Sequence, residues 1–286
     1  PWPWVFGDPV TDIDGNVYQT IQIGDQLWMK ENLKVTYYRD GTAIPTGHSN
    51  SDWSNLTTGA YAVYSDDTSN AASYGYLYNW YAVDDSRNIA PEGWHVPTDA
   101  EWTTLTTYLG GTNVAGGKMK ETGTNHWNSP NTGATNESGF NALPGGYRLG
   151  SSGHYSYMVN NGYFWSSTEY TNDGAWTWEL FWSNSEVVRY SGYVKNGSSV
   201  RCVRDPYSGP TWHVSTSGSD STGDGSLGTT TLQLDVGTYG GEPEYVTGTG
   251  VIATLEFLAK TSGEYEIEFS DETTLRKSDN ATISTD

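Results

Sequence analysis

The clearest helical pattern in the chain begins at Thr98, directly after Pro97. Thr98 and Glu101 have the spacing of a capping box, in which the two side chains satisfy the first free backbone N–H groups of a helix. Apolar residues then recur at helical spacing over 102–109, and the glycines at 110–111 end the pattern. This segment therefore predicts an amphipathic helix.

A weaker helical pattern covers Gly75 to Val83, where Leu77, Trp80 and Tyr81 would share one face. We expect a second, shorter helix here.

Most of the remaining chain consists of short β-like runs separated by Gly, Asn, Ser and Asp. The Asp-Gly pair in 11–16 lies between β-forming residues and predicts a hairpin turn. Aromatic residues and valines dominate 164–203, which indicates two or three strands. The first two-thirds of the chain is therefore expected to be α+β and mostly β.

The composition changes after Asp205, where Gly, Ser, Thr and Pro become frequent. We expect a linker over 206–228 that contains a short strand at 212–214, followed by a small antiparallel β domain over 229–286. The strands predicted in this domain are 229–236, 251–259 and 265–270. So small a sheet would gain stability from a partner strand or a packing surface.

Charge and composition narrow the class of function. The 286 residues carry a formal net charge of −20, which would repel nucleic-acid phosphates and anionic membranes. Aromatic residues make up 14% of the chain, more than a disordered protein usually contains. Cys202 has no second cysteine to pair with, and no apolar run is long enough to span a bilayer. We expect a folded protein with no nucleic-acid partner and no membrane span.

Eight sequence blocks occur in an order that resembles the Fibrobacter succinogenes major paralogous domain, a family of bacterial secreted and surface proteins. The blocks are VTDIDGNVY at 10–18, WMKENL at 28–33, DGTAIP at 40–45, YGYLYNWYAV at 74–83, PEGWHVPTDAEW at 91–102, SGFNALPGGYR at 138–148, FWSSTE at 164–169 and VRCVRD at 200–205. The resemblance covers about 8–205, after an N-terminal segment at 1–7. It implies a C-type-lectin-like fold and an extracellular or cell-surface location, but no reaction.

One position departs from the family pattern. Many relatives have a cysteine before the PEGWHVP block, where this chain has Ala90. We therefore expect Cys202 to be a buried free thiol. In the tail, two segments resemble the last strands of a cohesin-type sandwich, which implies an incomplete sandwich that another chain could complete. Those segments are 248–257 and 274–280.

The most suggestive candidate site is the aromatic run near Trp178. Alternate residues of a strand share one face, and the rest of the domain has enough other tryptophans to fill its interior. An exposed patch that stacks on sugars or anchors a protein therefore competes with simple core packing. The resemblance also implies that the C-terminal part of the lectin-like domain carries the ligand-binding face. The candidate ligand-binding residues are Tyr170, Trp176, Trp178, Trp182, Arg189, Tyr190 and Tyr193.

No residue pattern nominates a catalytic centre. The five histidines are widely separated, and we expect His95 to organise a loop or the core rather than to catalyse a reaction. Ser166 lacks the Gly-x-Ser-x-Gly context of a serine hydrolase. Asp12 and Asp14 suggest calcium, but the other EF-hand ligands are absent, which favours a plain turn. We expect no enzymatic activity, no cofactor and no metal, with calcium as the open alternative.

Three functions remain open. The first is an adhesion module that binds glycan or protein. The second is a structural subunit of an extracellular filament or surface layer, assembled by β-strand addition through the C-terminal β segment or by docking of the Trp- and Pro-rich N-terminus. The third is a weak or accessory carbohydrate-active enzyme. The sequence favours adhesion slightly.

Overall fold

The helices and strands can be followed in a computed structural model, which describes residues 7–205 and the backbone of three strands in the tail. The chain divides into two units, 1–205 and 206–286. Residues 1–6, which include most of the N-terminal docking segment proposed above, lie outside the described residues.

The described part of the first unit is built mainly from short strands. The strands are β1 (Val10–Thr11), β2 (Val17–Tyr18), β3 (Thr20–Ile23), β4 (Gln26–Met29), β5 (Tyr61–Ala62), β6 (Leu77–Tyr78), β7 (Trp94–His95), β8 (Gly145–Arg148), β9 (Tyr155–Met158), β10 (Asn161–Thr171), β11 (Gly174–Phe181), β12 (Val187–Tyr193) and β13 (Val203–Arg204). The helices are α1 (Asn50–Asn55), α2 (Ala71–Tyr74), α3 (Trp80–Val83), α4 (Asp99–Tyr108) and α5 (Thr112–Met119), with 3-10 turns at Tyr64–Asp66 and Thr68–Asn70. This confirms an α+β architecture that is mostly β.

The largest sheet of the described region has the strand order β12-β11-β10-β8-β9. Its neighbouring strands are antiparallel except β8 and β10, which run parallel. A second sheet has the order β3-β4-β13-β7, in which Val203 pairs with both Trp28 and His95. Because of this pairing, β13 at the end of the unit lies beside β4 near its start. The hairpins β1–β2 and β5–β6 complete the described sheets of this unit.

Helix α4 begins as the capping box predicts. The Thr98 side chain accepts a hydrogen bond from the Glu101 backbone N–H, and the Glu101 carboxylate accepts one from the Thr98 N–H at 2.8 Å. Gly110 and Gly111 follow the helix with φ values of 101° and 93°, which glycine adopts without steric cost. The predicted start and end of this helix are both confirmed.

The helix predicted over 75–83 is mostly wrong. Leu77 and Tyr78 form β6, and the helical part is only the four residues of α3, capped by the Asn79 side chain. Trp80 and nearly all its neighbours in this segment are buried. Because a segment buried on every side has no polar face, its apolar spacing does not distinguish a helix from a strand.

The hairpin predicted over 11–16 is confirmed, with β1 and β2 on either side of the turn. The carboxylate of Asp12 accepts hydrogen bonds from the backbone N–H groups of Asp14 and Asn16 at 3.0 and 2.9 Å. It also accepts one from the Tyr18 hydroxyl at 2.6 Å. The turn therefore uses the oxygens of Asp12 for its own backbone.

Two clusters of buried side chains form the core of this unit. The first surrounds Tyr38, Tyr78 and Trp165 and contains the free thiol of Cys202, as expected. Burial raises the pKa of that thiol, so it remains protonated and unreactive. The second cluster lies between helices α4 and α5 and one face of the largest sheet, and it contains Trp102.

In the tail, the described backbone forms an antiparallel sheet with the order β15-β14-β16. These strands are β14 (Trp212–Ser217), β15 (Thr231–Val236) and β16 (Tyr265–Ile267). Strands were predicted at each of these places, whereas the one predicted at 251–259 lies outside the described residues. Among the helices described, none is both long and apolar enough to cross a membrane.

Candidate functional site

One face of β11 belongs to the core. Trp178 is only 2% exposed, and its ring stacks on Trp102 of α4 with 6.0 Å between centroids and 16° between planes. Trp178 is also the cross-strand partner of Phe164, which lies in the same cluster. Trp182 is half-buried against this cluster. Trp178 is therefore a packing residue and has no surface for a ligand.

Three other predicted site residues form a small cluster at the end of the same face. The guanidinium of Arg189 lies 3.3 Å from the ring centroid of Trp176, whose ring is 4.4 Å from that of Tyr170. Arg189 also donates two hydrogen bonds of 2.7 Å to the carboxylate of Asp99. Because Arg189 already covers the Trp176 ring and is neutralised by Asp99, this cluster is satisfied internally.

The opposite face of the sheet is covered only in part, since Trp165 and Ala175 on it belong to the first core cluster. A groove of about 670 Å³ crosses it, and we name it the tyrosine groove. Tyr190 and Tyr193 both line it, and Tyr190, the cross-strand partner of Thr177, lies on the face opposite to the tryptophans. The residues that line the tyrosine groove are Tyr147, Tyr157, Asn161, Tyr163, Thr177, Glu179, Phe181, Tyr190, Ser191, Gly192, Tyr193, Asn196 and Ser198.

Three tyrosine rings form one wall of the groove. The ring of Tyr147 lies 4.7 Å from that of Tyr163 and 6.1 Å from that of Tyr157, to which it is nearly parallel at 13°. Burial raises the pKa of Tyr147 and Tyr163, so both phenols stay neutral at physiological pH. The Asn161 side chain donates a 2.8 Å hydrogen bond to the Tyr163 hydroxyl, which fixes that ring.

Glu179 places a carboxylate among these rings. It is the cross-strand partner of Tyr163, so the two side chains emerge side by side on the same face. Its side-chain contact with Thr177 is long, 3.4 Å, and the Thr177 hydroxyl has a shorter contact, 3.1 Å, with the Tyr190 carbonyl. Among the described residues, no lysine, arginine or histidine forms an ion pair with Glu179. Burial accordingly raises the pKa of Glu179 to about 7.

The backbone at one rim of the groove is strained. Tyr157 and Val159 have φ values of 63° and 62°, in the left-handed region that bulky and β-branched residues disfavour. Such a conformation costs on the order of 1 to 3 kcal/mol and persists where the surrounding structure enforces it. Here the Val159 N–H donates to the Pro144 carbonyl at 2.9 Å, and the Val159 carbonyl accepts from the Asn128 N–H at 2.7 Å. The fold keeps a tyrosine at a backbone conformation that asparagine or glycine adopts with less strain.

A close approach of two strands positions the Tyr147 side of the groove. Gly146 pairs with Gly162 across the parallel contact of β8 and β10. Gly146 has φ of 63°, and a Cβ there would lie 2.4 Å from the Ser156 carbonyl oxygen. Only glycine fits this close approach of β8 to β9, next to Tyr147.

The sequence of residues 21–204 matches the family model of the Fibrobacter succinogenes major domain. The chain belongs to this family. Comparisons with curated proteins and with solved structures find no match. All residues of the tyrosine groove lie inside the matched segment, so the groove is a feature of the major domain of this chain.

His95 of the major domain connects two parts of the fold. Its Nδ1 lies 2.6 Å from the Asp205 carboxylate, and its Nε2 lies 2.9 Å from the carboxylate of Glu101 at the start of α4. The hydrogen bond with Glu101 makes the largest contribution to raising the pKa of His95, and Asp205 adds to it. This geometry agrees with the loop-organising role expected from the sequence.

Lys120 is a fully buried cation near the largest sheet. Its ammonium group donates hydrogen bonds of 2.8 to 2.9 Å to the carbonyls of Thr132, Phe181 and Asn184. All three are backbone acceptors, so Lys120 joins the end of β11 to two loops and has no donor left for a ligand. In the described part of the chain, no group of three or more His, Cys, Asp and Glu residues could hold a metal ion.

Sequence analysis missed four central residues of the groove, Tyr147, Tyr157, Tyr163 and Glu179. The tryptophans of β11 drew attention to one face of the strand, whereas Glu179 lies between Trp178 and Leu180 and therefore faces the other way. The polar residues alternating with that apolar face were the signal that could have indicated a second, solvated face.

Proposed function

We propose that this chain is a non-catalytic binding module of an extracellular or cell-surface protein, and that it holds its ligand in the tyrosine groove. The observation that carries the proposal is the groove itself, in which tyrosines from four strands surround one open concavity. Tyrosine offers a large, stiff contact area with little side-chain entropy to lose and a hydroxyl for hydrogen bonds. These properties suit glycans and protein surfaces alike.

The competing aromatic surface is a weaker candidate for the same role. Trp178 is buried, and Arg189 occupies the face of Trp176 that a sugar ring would need. A ligand there would have to displace an arginine that is held by two hydrogen bonds to Asp99. The tyrosine groove requires no such displacement.

The C-type-lectin-like fold, the extracellular setting and adhesion as the biological role are part of this proposal. Their support is the family membership together with the mostly β architecture and the open sheet face. Helices α4 and α5 cover one face of the largest sheet, and the part of the other face that forms the tyrosine groove remains available for recognition.

The proposal is tested by binding of the full chain to glycan arrays and to immobilised matrix proteins. Replacing the exposed rings of Tyr157 and Tyr190 by alanine together should abolish any binding seen with the wild type. The matched control is Tyr108→Ala, which removes a tyrosine of similar exposure, 65% against 61% for Tyr190, from helix α4 outside the groove. Binding that survives the double substitution, or that is lost with Tyr108→Ala, contradicts the proposal.

Assembly by β-strand addition is a second candidate, favoured by one observation in the tail. Within its described backbone, β15 and β16 each pair with β14 alone. Strands with one free edge can accept a strand from another molecule. Electron microscopy of the full chain and of a chain ending at residue 228 tests this candidate. Fibres formed only by the full chain would support it, and dispersed particles from both would reject it.

A further inference from the structure

We propose that the tyrosine groove binds an organic ammonium group, with Glu179 as its counter-ion and the rings of Tyr147, Tyr157 and Tyr163 as its aromatic wall. This inference rests on the proposed function, because it names the class of ligand for the same groove. It follows from the charge, the rings and the shape of the site.

The first argument is the uncompensated charge of Glu179. A half-buried carboxylate normally has a cation or several hydrogen-bond donors beside it, because removal from water is costly. Here the described residues supply only the long contact from Thr177, although the residues lining the groove include asparagines and serines. Glu179 is also the only acid or base other than tyrosine among the residues described as lining the groove. A cationic ligand would provide the missing partner.

The second argument is the chemistry of the aromatic wall. The face of a tyrosine ring is electron-rich and attracts a cation within about 6 Å of the ring centroid, and the attraction strengthens where water is excluded. The rings of Tyr147, Tyr157 and Tyr163 lie 4.7 to 6.4 Å apart, so one ammonium group could contact more than one of them. Tyr163 lies directly across from Glu179, which places ring and carboxylate together. Rings combined with an acid suit an alkylated ammonium better than a neutral sugar.

The third argument is the overall charge of the chain. A net charge of −20 attracts cations and repels anions before contact is made. Inside the groove no described lysine or arginine competes with a ligand for the carboxylate. Long-range and local electrostatics therefore favour the same kind of ligand.

The test is calorimetric titration of the full chain with choline and with 3,3-dimethylbutan-1-ol at pH 8, where the Glu179 carboxyl is ionised. The alcohol has nearly the shape of choline but carries no charge. We expect choline to bind about tenfold or more tightly than the alcohol. Equal affinity of the two overturns the inference, and so does a failure of choline, butylammonium and glucosamine alike to bind. Because this comparison uses the wild-type protein, it does not depend on any variant folding correctly.

Variants then locate the site. Glu179→Gln should weaken choline binding about tenfold or more, whereas Glu169→Gln, which removes the same charge from an exposed position on β10, should change it less than about twofold. Tyr157→Leu should weaken binding, and Tyr157→Phe should retain it because the ring remains. Equal effects of the two glutamine substitutions would overturn the inference.

Two further titrations identify the source of the ammonium group. Butylammonium represents a lysine side chain, and glucosamine, compared with glucose, represents an amino sugar. Preference for any of the ammonium compounds over its neutral counterpart supports the inference and names the source. If glucose and glucosamine bind equally well and Glu179→Gln changes neither affinity, the groove binds neutral glycans; the inference then fails and the proposed function stands. If none of these ligands binds and the array experiment is also negative, both fail.

Discussion

Replacing Glu179 with glutamine should change how the stability of the protein depends on pH. Below pH 4.5, the ordinary pKa of the side chain, the carboxyl is protonated in the folded and the unfolded chain alike. Between 4.5 and about 7 the unfolded chain ionises while the folded chain keeps its proton, so the free energy of unfolding falls as pH rises. Above pH 7 the carboxyl is ionised in both states, and the poorly solvated carboxylate of the folded chain lowers the free energy of unfolding by its full amount.

The size of this effect follows from the position of Glu179. A rise in pKa from 4.5 to about 7 sets a ceiling of about 3 kcal/mol, at about 1.4 kcal/mol for each tenfold change in proton affinity. Water in the open groove screens part of that cost, so we expect about 1 to 3 kcal/mol at pH 8. Glu179→Gln should therefore be more stable than the wild type at pH 8 and about equally stable at pH 4.5.

Urea unfolding followed by tryptophan fluorescence, repeated from pH 4.5 to pH 8, measures this difference directly. Subtracting the wild-type curve from that of the variant removes the titration of all other groups, His95 included. The control is Glu169→Gln, since the Glu169 side chain is exposed and forms no ion pair with the described residues, and this variant should differ from the wild type by less than about 0.5 kcal/mol at every pH. A flat difference for Glu179→Gln, or a variant that is less stable at pH 8, would refute the account of the groove's electrostatics.

Three further predictions concern packing and strain. Trp178→Ala should lower the free energy of unfolding by about 3 to 5 kcal/mol because it opens a cavity in the core, whereas Trp176→Ala should lower it by about 1 kcal/mol or less; equal losses would contradict this placement of the two residues. Tyr157→Asn should leave the free energy of unfolding unchanged or raise it by about 1 kcal/mol, since asparagine tolerates the left-handed backbone. Ligand binding should be lost. A clear loss of stability would show that the tyrosine is kept for packing. Lys120→Met should lower the free energy of unfolding by about 3 kcal/mol because buried carbonyls lose their donor. Lys118→Met, at a half-buried position, should lower it by about 0.5 kcal/mol or less, and chemical denaturation distinguishes the two.

The elements that could be predicted from the sequence are those whose causes are local. Helix α4 is specified by the capping box at Thr98 and Glu101 and by two glycines, all within 14 residues of one another. The β1–β2 hairpin likewise depends on Asp12 and the Asp-Gly pair beside it. In both cases the hydrogen bonds that determine the structure join residues close in sequence, so the pattern carries the information.

The tyrosine groove could not be predicted in this way because its residues come from five strands. Tyr147 reaches Tyr163 only through the parallel pairing of β8 with β10, in which Gly146 lies beside Gly162. The order and register of the strands decide which of the two faces of a strand is exposed, and neither can be read from the local sequence of that strand. The aromatic run near Trp178 was correctly predicted to share a face, but that face is covered by α4 and α5.

The most direct test of a cation-binding groove is a crystal structure of the full chain grown with choline. The account predicts the quaternary nitrogen within about 6 Å of the ring centroids of Tyr147, Tyr157 or Tyr163 and beside the carboxylate of Glu179, within about 4 to 6 Å. A choline molecule bound only at the Trp176 and Arg189 cluster, or a groove that contains water alone at saturating choline, would contradict it.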